Sequence, residues 1–193
     1  MVLSGLKVLE LNKKYRLVSG LSEREQFNPE GSDLELRVGQ VENIIGPGFL
    51  GIEDRVTPKT KIIASIERDG KKKIKMKPGQ YYLVKTIETV NVPSKKVSLE
   101  KNMPPRYLSP DIKPRSTLQR CGIILVNTTT NPGYIGPLIF GMYNAGNQDF
   151  KFELGARMFK IEFREVIGEI KRAYAGQNQG GRTTSQGKKE KQT

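Results

Sequence analysis

Histidine and tryptophan are absent from the 193 residues, and cysteine occurs once, at Cys121. Without histidine there is no Ser-His or Cys-His nucleophile pair. One cysteine cannot supply the nitrogen and sulfur ligands that zinc takes, which removes zinc-dependent base deamination as well. A lone cysteine also excludes an intramolecular disulfide. No apolar run approaches the roughly 18 to 20 residues that a membrane helix needs, and residues 1–11 lack the apolar centre of a signal peptide, so the chain is expected to be soluble and cytoplasmic. Hydrolytic chemistry is left to carboxylates, hydroxyls, cations and a hard metal.

Acidic residues are in short supply: 20 against 33 basic ones, a formal charge of +13. Such a balance suits nucleic acid or a small polyanion. Much of the excess lies in KKKIKMK (71–77) and in Lys188, Lys189 and Lys191 of the tail, where solvated hairpin and terminus charge is the ordinary reading. Basic and aromatic residues do not alternate as they do in single-strand binders, so nucleic-acid binding is disfavoured as the primary role and steering of a polyanionic small molecule is preferred.

What the chain does have is short strands between turn signals. Residues 32–38 alternate, with Leu34, Leu36 and Val38 on one side and Asp33, Glu35 and Arg37 on the other, between Gly31 and Gly39. Further strands are expected at 61–66, 71–77, 81–92, 123–126, 138–143, 150–154 and 157–163. Asp69-Gly70 reads as a two-residue hairpin turn, and the lysines of 71–77 mark an edge strand. Residues 1–20 read as a short helix or strand, 21–30 as a connector, and 94–113 as a loop with a surface strand. The pattern predicts an all-β barrel or sandwich with one or two short helices, in a single domain over 1–175. Residues 176–193 hold four glycines and no large apolar side chain, which predicts a tail that is mobile when empty.

The centre of the chain is PRSTLQRCGIILVNTTTNPGYIGPLIFGMYN (114–144). An Arg-Ser-Thr turn opens a short helical signal. An apolar strand follows, and the chain bends at Asn131-Pro132-Gly133, where a pre-proline residue and a glycine specify a tight turn. Two readings of 114–122 stand side by side. Ser116, the backbone amides and the guanidinium of Arg115 or Arg120 form a phosphate site, or Ser116 or Thr117 simply caps the helix.

PRSTLQRCG resembles the phosphate-contacting motif of the dUTPase and dCTP deaminase family, and NPGYIG resembles its nucleotide-specificity turn. GSDLELRVG (31–39), GARMFKIEF (155–163) and YAGQNQGGR (174–182) extend the likeness in the family's order. The resemblance implies a distorted jelly-roll barrel, assembled as a homotrimer with sites between subunits, that takes a deoxyribonucleoside triphosphate (dUTP or dCTP) together with Mg2+. It places Arg115, Ser116, Thr117 and Arg120 at the phosphate-contacting motif and Asp33 near the phosphates and the metal; Arg157 matches a further substrate-binding Arg of the family, in a block where Lys160 stands in place of the usual Gln. Gly133, Tyr134 and Phe140 fall at the nucleoside, and Tyr134 carries the deoxyribose. Tyr174, Gln177, Gln179 and Arg182 belong to a Gly-rich segment, 176–182, that closes over the nucleotide. Without the family, Asp33 reads as an exposed strand acid and Tyr134 as a buried ring with a bonded hydroxyl.

Two departures bear on the chemistry. The family's deaminases use a Glu eight positions into the strand that opens with the turn's aromatic residue, and here that position is Gly141, which cannot shuttle a proton. Its hydrolases use an Asp at the turn, where this chain has Asn131, whose amide can hold a water but cannot accept its proton. Asp33 and Asp111 remain as nearby acids. The expectation is dUTP hydrolysis to dUMP and pyrophosphate, with dCTP deamination and a lapsed nucleotide binder as the alternatives.

Overall fold

The computed structural model describes residues 1–192. In chain order it contains α1 (Gly5–Tyr15), β1 (Val18–Ser19), α2 (Glu23–Phe27), β2 (Leu34–Ile45), β3 (Phe49–Leu50), β4 (Asp54–Val56), β5 (Lys59–Ser65), α3 (Ile66–Asp69), β6 (Lys73–Met76), β7 (Tyr81–Asn91), β8 (Tyr107–Pro114), α4 (Ser116–Arg120), β9 (Ile123–Val126), β10 (Ile135–Asn144), β11 (Phe150–Glu153), β12 (Arg157–Val166) and β13 (Lys189–Lys191). The main sheet runs β8-β12-β2-β7-β10-β9, with β5 also on β2 and β1 on β7; β11-β6 and β13-β4-β3 form two small sheets. Every pairing is antiparallel. The sheet curls into a nearly closed barrel, the all-β fold expected from the turn spacing.

Alternation sets the inner face. In β7, Tyr82, Val84, Thr86, Glu88 and Val90 point inward, while Leu83, Lys85, Ile87 and Thr89 are partly exposed. Met142 and Phe140 of β10 and Phe159, Ile161 and Phe163 of β12 meet them, with the Phe140 and Phe159 ring centroids 4.5 Å apart. Each of these large side chains stabilises the fold by roughly 1.5–3 kcal/mol through removal from water.

The helices are more numerous than expected. Ser4 caps α1 by accepting the Lys7 amide at 3.2 Å, and α1 ends where Arg16 turns left-handed at φ 51°. Residues 21–30, expected to be a connector, contain α2. The hairpin expected at Asp69-Gly70 is absent. Ser65 accepts the Arg68 amide at 3.3 Å while Asp69 accepts the Ser65 amide at 3.0 Å, so capping at both ends winds 66–69 into α3. β6 therefore leaves β5 and pairs with β11, where its lysines face Glu153 and Asp149 at 3.6 and 3.2 Å.

The tail also follows a defined path. Ser185 and Thr57 exchange backbone and side-chain bonds of 2.6–3.1 Å, Gln186 bonds Thr60, and β13 pairs with β4. Polar pairing does here what apolar burial could not. Of the expected tail, Thr193 lies outside the described residues.

Candidate functional site

The residues singled out by sequence fall into two groups at opposite ends of β10. At the Asn144 end lies the Arg-Ser-Thr turn: Ala145 donates to the Gly122 carbonyl at 2.9 Å just past α4, and Arg115 donates its amide to Met158 at 3.0 Å. Arg115 occupies the N-cap position of α4 without a side-chain cap. Ser116, Thr117 and Arg120 are exposed, and among the described residues their side chains have no hydrogen-bond or ionic partner. Simple helix capping by either hydroxyl is thereby ruled out. What remains is a set of free donors around the first amides of the helix, an arrangement suited to an anion.

Behind this turn sits a network that the sequence did not disclose. Glu35, 3% exposed, takes Arg115 Nε at 2.9 Å on one oxygen and the Arg157 guanidinium on the other, with Arg24 Nη1 at 3.5 Å. Fully buried Glu25 accepts the Glu35 amide at 2.9 Å and also pairs with Arg24. Two buried carboxylates thus hold three arginines, and Arg157 acts from behind Arg115 as part of that frame. Glu35, not Asp33, is the carboxylate that Arg115 meets.

Asp33 was expected at the metal. Lys160 Nζ lies 3.0 Å from both of its oxygens, and the described residues contain no cluster of three or more metal-ligating side chains. The described residues hold no ready-made protein cage for Mg2+; an ion carried on a nucleotide's phosphates would need only one or two carboxylates, and Asp33 could serve only after parting from Lys160. Asp111 is likewise engaged, by Arg164 at 2.7 Å.

The second group surrounds the Asn-Pro-Gly-Tyr turn at the Ile135 end. Tyr134 donates its amide to Asn131 O at 3.1 Å, closing a β-turn in which Gly133 carries φ 101°. A β-carbon at 133 would stand 2.8 Å from the Tyr174 carbonyl, so glycine is required twice over. Asn131 is exposed at the bend. Tyr134 is 8% exposed, donates its hydroxyl to the Pro137 carbonyl at 2.6 Å and meets Tyr174 edge-on at 5.8 Å. Burial, reinforced by Tyr174, pushes its phenol up to about 12. The bland expectation for Tyr134, a buried ring with a bonded hydroxyl, is what the chain displays. Phe140 is a core residue against Phe159, with an edge towards the cavity.

The tail covers this turn. Gln179 accepts the Ile135 amide at 3.0 Å and donates to the Gly133 carbonyl at 2.7 Å, and Gly180 donates to Ile135 at 2.8 Å. Two adjoining cavities result. One, about 190 Å³, is lined by residues that include Thr128, Asn131, Tyr134, Phe140, Tyr174 and Arg182. The other, about 360 Å³, includes Arg55, Asn131, Arg172, Tyr174 and Gln177. Neither has a carboxylate in its lining, and between them they have three arginines. Gln177 and Arg182 turn towards Arg55 and Glu190 respectively.

None of Arg115, Ser116, Thr117 or Arg120 lines either cavity. The ten residues of β10, roughly 30 Å of strand, separate the two groups within one chain.

On the outer face of the same strand, the Tyr81 hydroxyl covers Gly141, where the deaminase resemblance would require a Glu.

The chain is similar to known proteins in sequence and fold. A family model described as dCTP deaminase-like matches residues 2–166. A dCTP deaminase of Pyrococcus furiosus is 29% identical over 168 residues, 87% of each chain. A probable deoxyuridine 5'-triphosphate nucleotidohydrolase of Aeropyrum pernix is 30% identical over 154 residues, 80% of this chain and 85% of that one. Among solved structures, the 2'-deoxycytidine 5'-triphosphate deaminase of Agrobacterium tumefaciens superposes with a TM-score of 0.60 at 16% identity, over 86% of this chain. The present chain spans about half of that protein, with 48% covered.

Proposed function

The chain belongs to the dCTP deaminase-like family, and from that premise we propose that it binds a deoxyuridine triphosphate and hydrolyses it to the monophosphate and pyrophosphate. The observation that carries the choice is Gly141 under Tyr81. Deamination in the manner of the resembling enzymes needs an acid-base side chain there, and this chain has none and has filled the space.

In this reading the nucleoside enters the cavity beside Tyr134 and Asn131, under the cover of Tyr174 and Gln179. Its phosphates reach the free hydroxyls of Ser116 and Thr117 and the free guanidinium of Arg120 on a neighbouring copy, with Arg115 fixed beside them by Glu35, because one chain's two groups lie a strand apart. Such a shared site fits a homotrimer. Developing charge on the phosphoryl oxygens is met by arginine. Asn131 Oδ1 accepts a hydrogen bond from the attacking water and orients it; the water oxygen bonds the α-phosphorus as the P–O bond to the pyrophosphate leaving group breaks, and its proton passes to solvent rather than to a side chain, so turnover is slow. A second reading, binding without turnover, is favoured by the acid-free lining of both cavities.

The test is pyrophosphate release from dUTP and ammonia release from dCTP. Slow pyrophosphate release by the wild type, raised about 10²- to 10⁴-fold in Asn131→Asp, is the expected result, since that is what a positioned general base supplies. Tight dUTP binding with no product from either protein would establish the second reading, and ammonia from dCTP would overturn both.

A further inference from the structure

Two of the three arginines that border the two cavities converge on a carboxylate of the chain's own tail. Glu190, at the centre of β13, accepts Arg55 Nε at 3.0 Å on one oxygen and Arg182 Nη2 at 2.7 Å on the other. Arg55 lines the larger cavity and Arg182 the smaller. They come from separate parts of the chain, β4 and the segment after the tail's glycines, and Glu190 is the acidic side chain that both contact. Two guanidinium groups each donating to one oxygen of a single anion is how arginines take up a phosphate group. Arg172, on the wall with Arg55, has no acidic partner among the described residues, so the local balance stays positive with Glu190 in place.

The strand that carries Glu190 is lightly held. β13 has three residues, and its outward lysines, Lys189 and Lys191, are exposed. Besides its backbone pairing with β4 it is fastened by Lys189 to Asp54 at 2.6 Å, by the Lys191 carbonyl to Gln177 at 2.8 Å and by the adjoining Gln192 amide to the Glu53 carbonyl at 2.8 Å. A three-residue strand at the edge of a three-stranded sheet belongs to the part of a structure that opens first.

We propose that Arg55 and Arg182 form a phosphate-binding site, and that Glu190 fills it in the free protein as an internal anion that a polyphosphate ligand displaces. This rests on the reading of the cavities as a nucleotide site, Arg55 and Arg182 meeting the phosphates from the tail's side while the neighbouring copy's Arg-Ser-Thr turn meets them from the other. The arginines hold the Glu190 carboxyl below its ordinary range, Arg182 first, so the internal anion stays charged wherever the protein is folded at neutral pH. A tethered carboxylate acts at an effective concentration in the millimolar range, and a ligand binds only by outcompeting it. A polyphosphate, with several charges against one, can do so.

The experiment titrates inorganic tripolyphosphate, which carries no base, into the full-length wild type, Glu190→Gln and Glu190→Ala by calorimetry at fixed ionic strength. Both variants should bind roughly tenfold more tightly than the wild type, as removal of an internal competitor requires. Adding Arg55→Ala to Glu190→Gln should abolish that gain. Unchanged or weaker binding in both Glu190 variants would overturn the proposal, as would a gain that survives Arg55→Ala. Retention of the gain by a protein that fails to bind dUTP would support the anion site while refuting the nucleotide reading.

Discussion

Tyr81 lays its phenolic hydroxyl 1.9 Å from the point that a β-carbon on Gly141 would occupy. The two residues lie diagonally across neighbouring strands, Gly141 opposite Leu83 and Tyr81 opposite Tyr143. Any side chain at 141 must first move that ring. Because the atom met is the tip of a side chain that can swing aside, Gly141→Ala should cost only about 1 kcal/mol, at the low end of overpacking penalties. The cost should vanish in a Tyr81→Ala background, giving a coupling measurable by a urea double-mutant cycle.

Glu35 holds Arg115 and Arg157 while itself almost wholly buried. Removing one partner of such a cluster strands the other charges. Glu35→Ala should therefore lower unfolding stability by about 3–5 kcal/mol in chemical denaturation. Lys160→Ala, which frees Asp33 from a half-exposed pair, should cost no more than about 1 kcal/mol.

Tyr134 should make the protein sensitive to alkali. Its phenol is raised to about 12, whereas an unfolded tyrosine titrates near 10. A group raised on folding contributes stability that is complete below the unfolded value and is lost as pH climbs through the folded one. From pH 10 to 12 the unfolded chain has released this proton while the native chain keeps it, so stability falls, by about 2–3 kcal/mol for this residue. Tyr134→Phe should flatten that part of the decline, read as the difference between the two proteins' urea midpoints.

Gly181 stands at φ 74°, and a β-carbon there would come within 2.5 Å of Pro137. Gly181→Ala should lift the tail from the turn. Forcing a left-handed alanine costs about 1–2 kcal/mol, so exchange of the Gly180 and Ile135 amides should speed up by roughly tenfold or more in hydrogen-exchange measurements.

The strands and the Asn-Pro-Gly-Tyr bend were legible because period-two patterning and turn chemistry are local properties. Glu35 was not. Alternation assigned it to a solvated face beside Asp33 and Arg37, but α2 and the Arg115 turn cover that face, and a pattern within one strand carries no record of what packs on its far side. Asp33 was singled out by the resemblance rather than by the strand's pattern, and only the fold puts Lys160 on it. The tail was misjudged in another way. Composition measures how much apolar surface a segment can bury, and residues 183–192 are held by hydroxyls, amides and backbone pairing, which composition does not register.

With its two groups at opposite ends of β10, the molecule has a direction: what it presents at one end is what a second copy lacks at the other. A head-to-tail contact between copies would bring one such pair of ends together at each interface and form a ring where the rotation closes, whereas a two-fold dimer would bring two pairs together at once. Mixing Arg115→Ala chains with Tyr134→Ala chains, each deficient alone, would then rebuild some intact sites from two damaged parents.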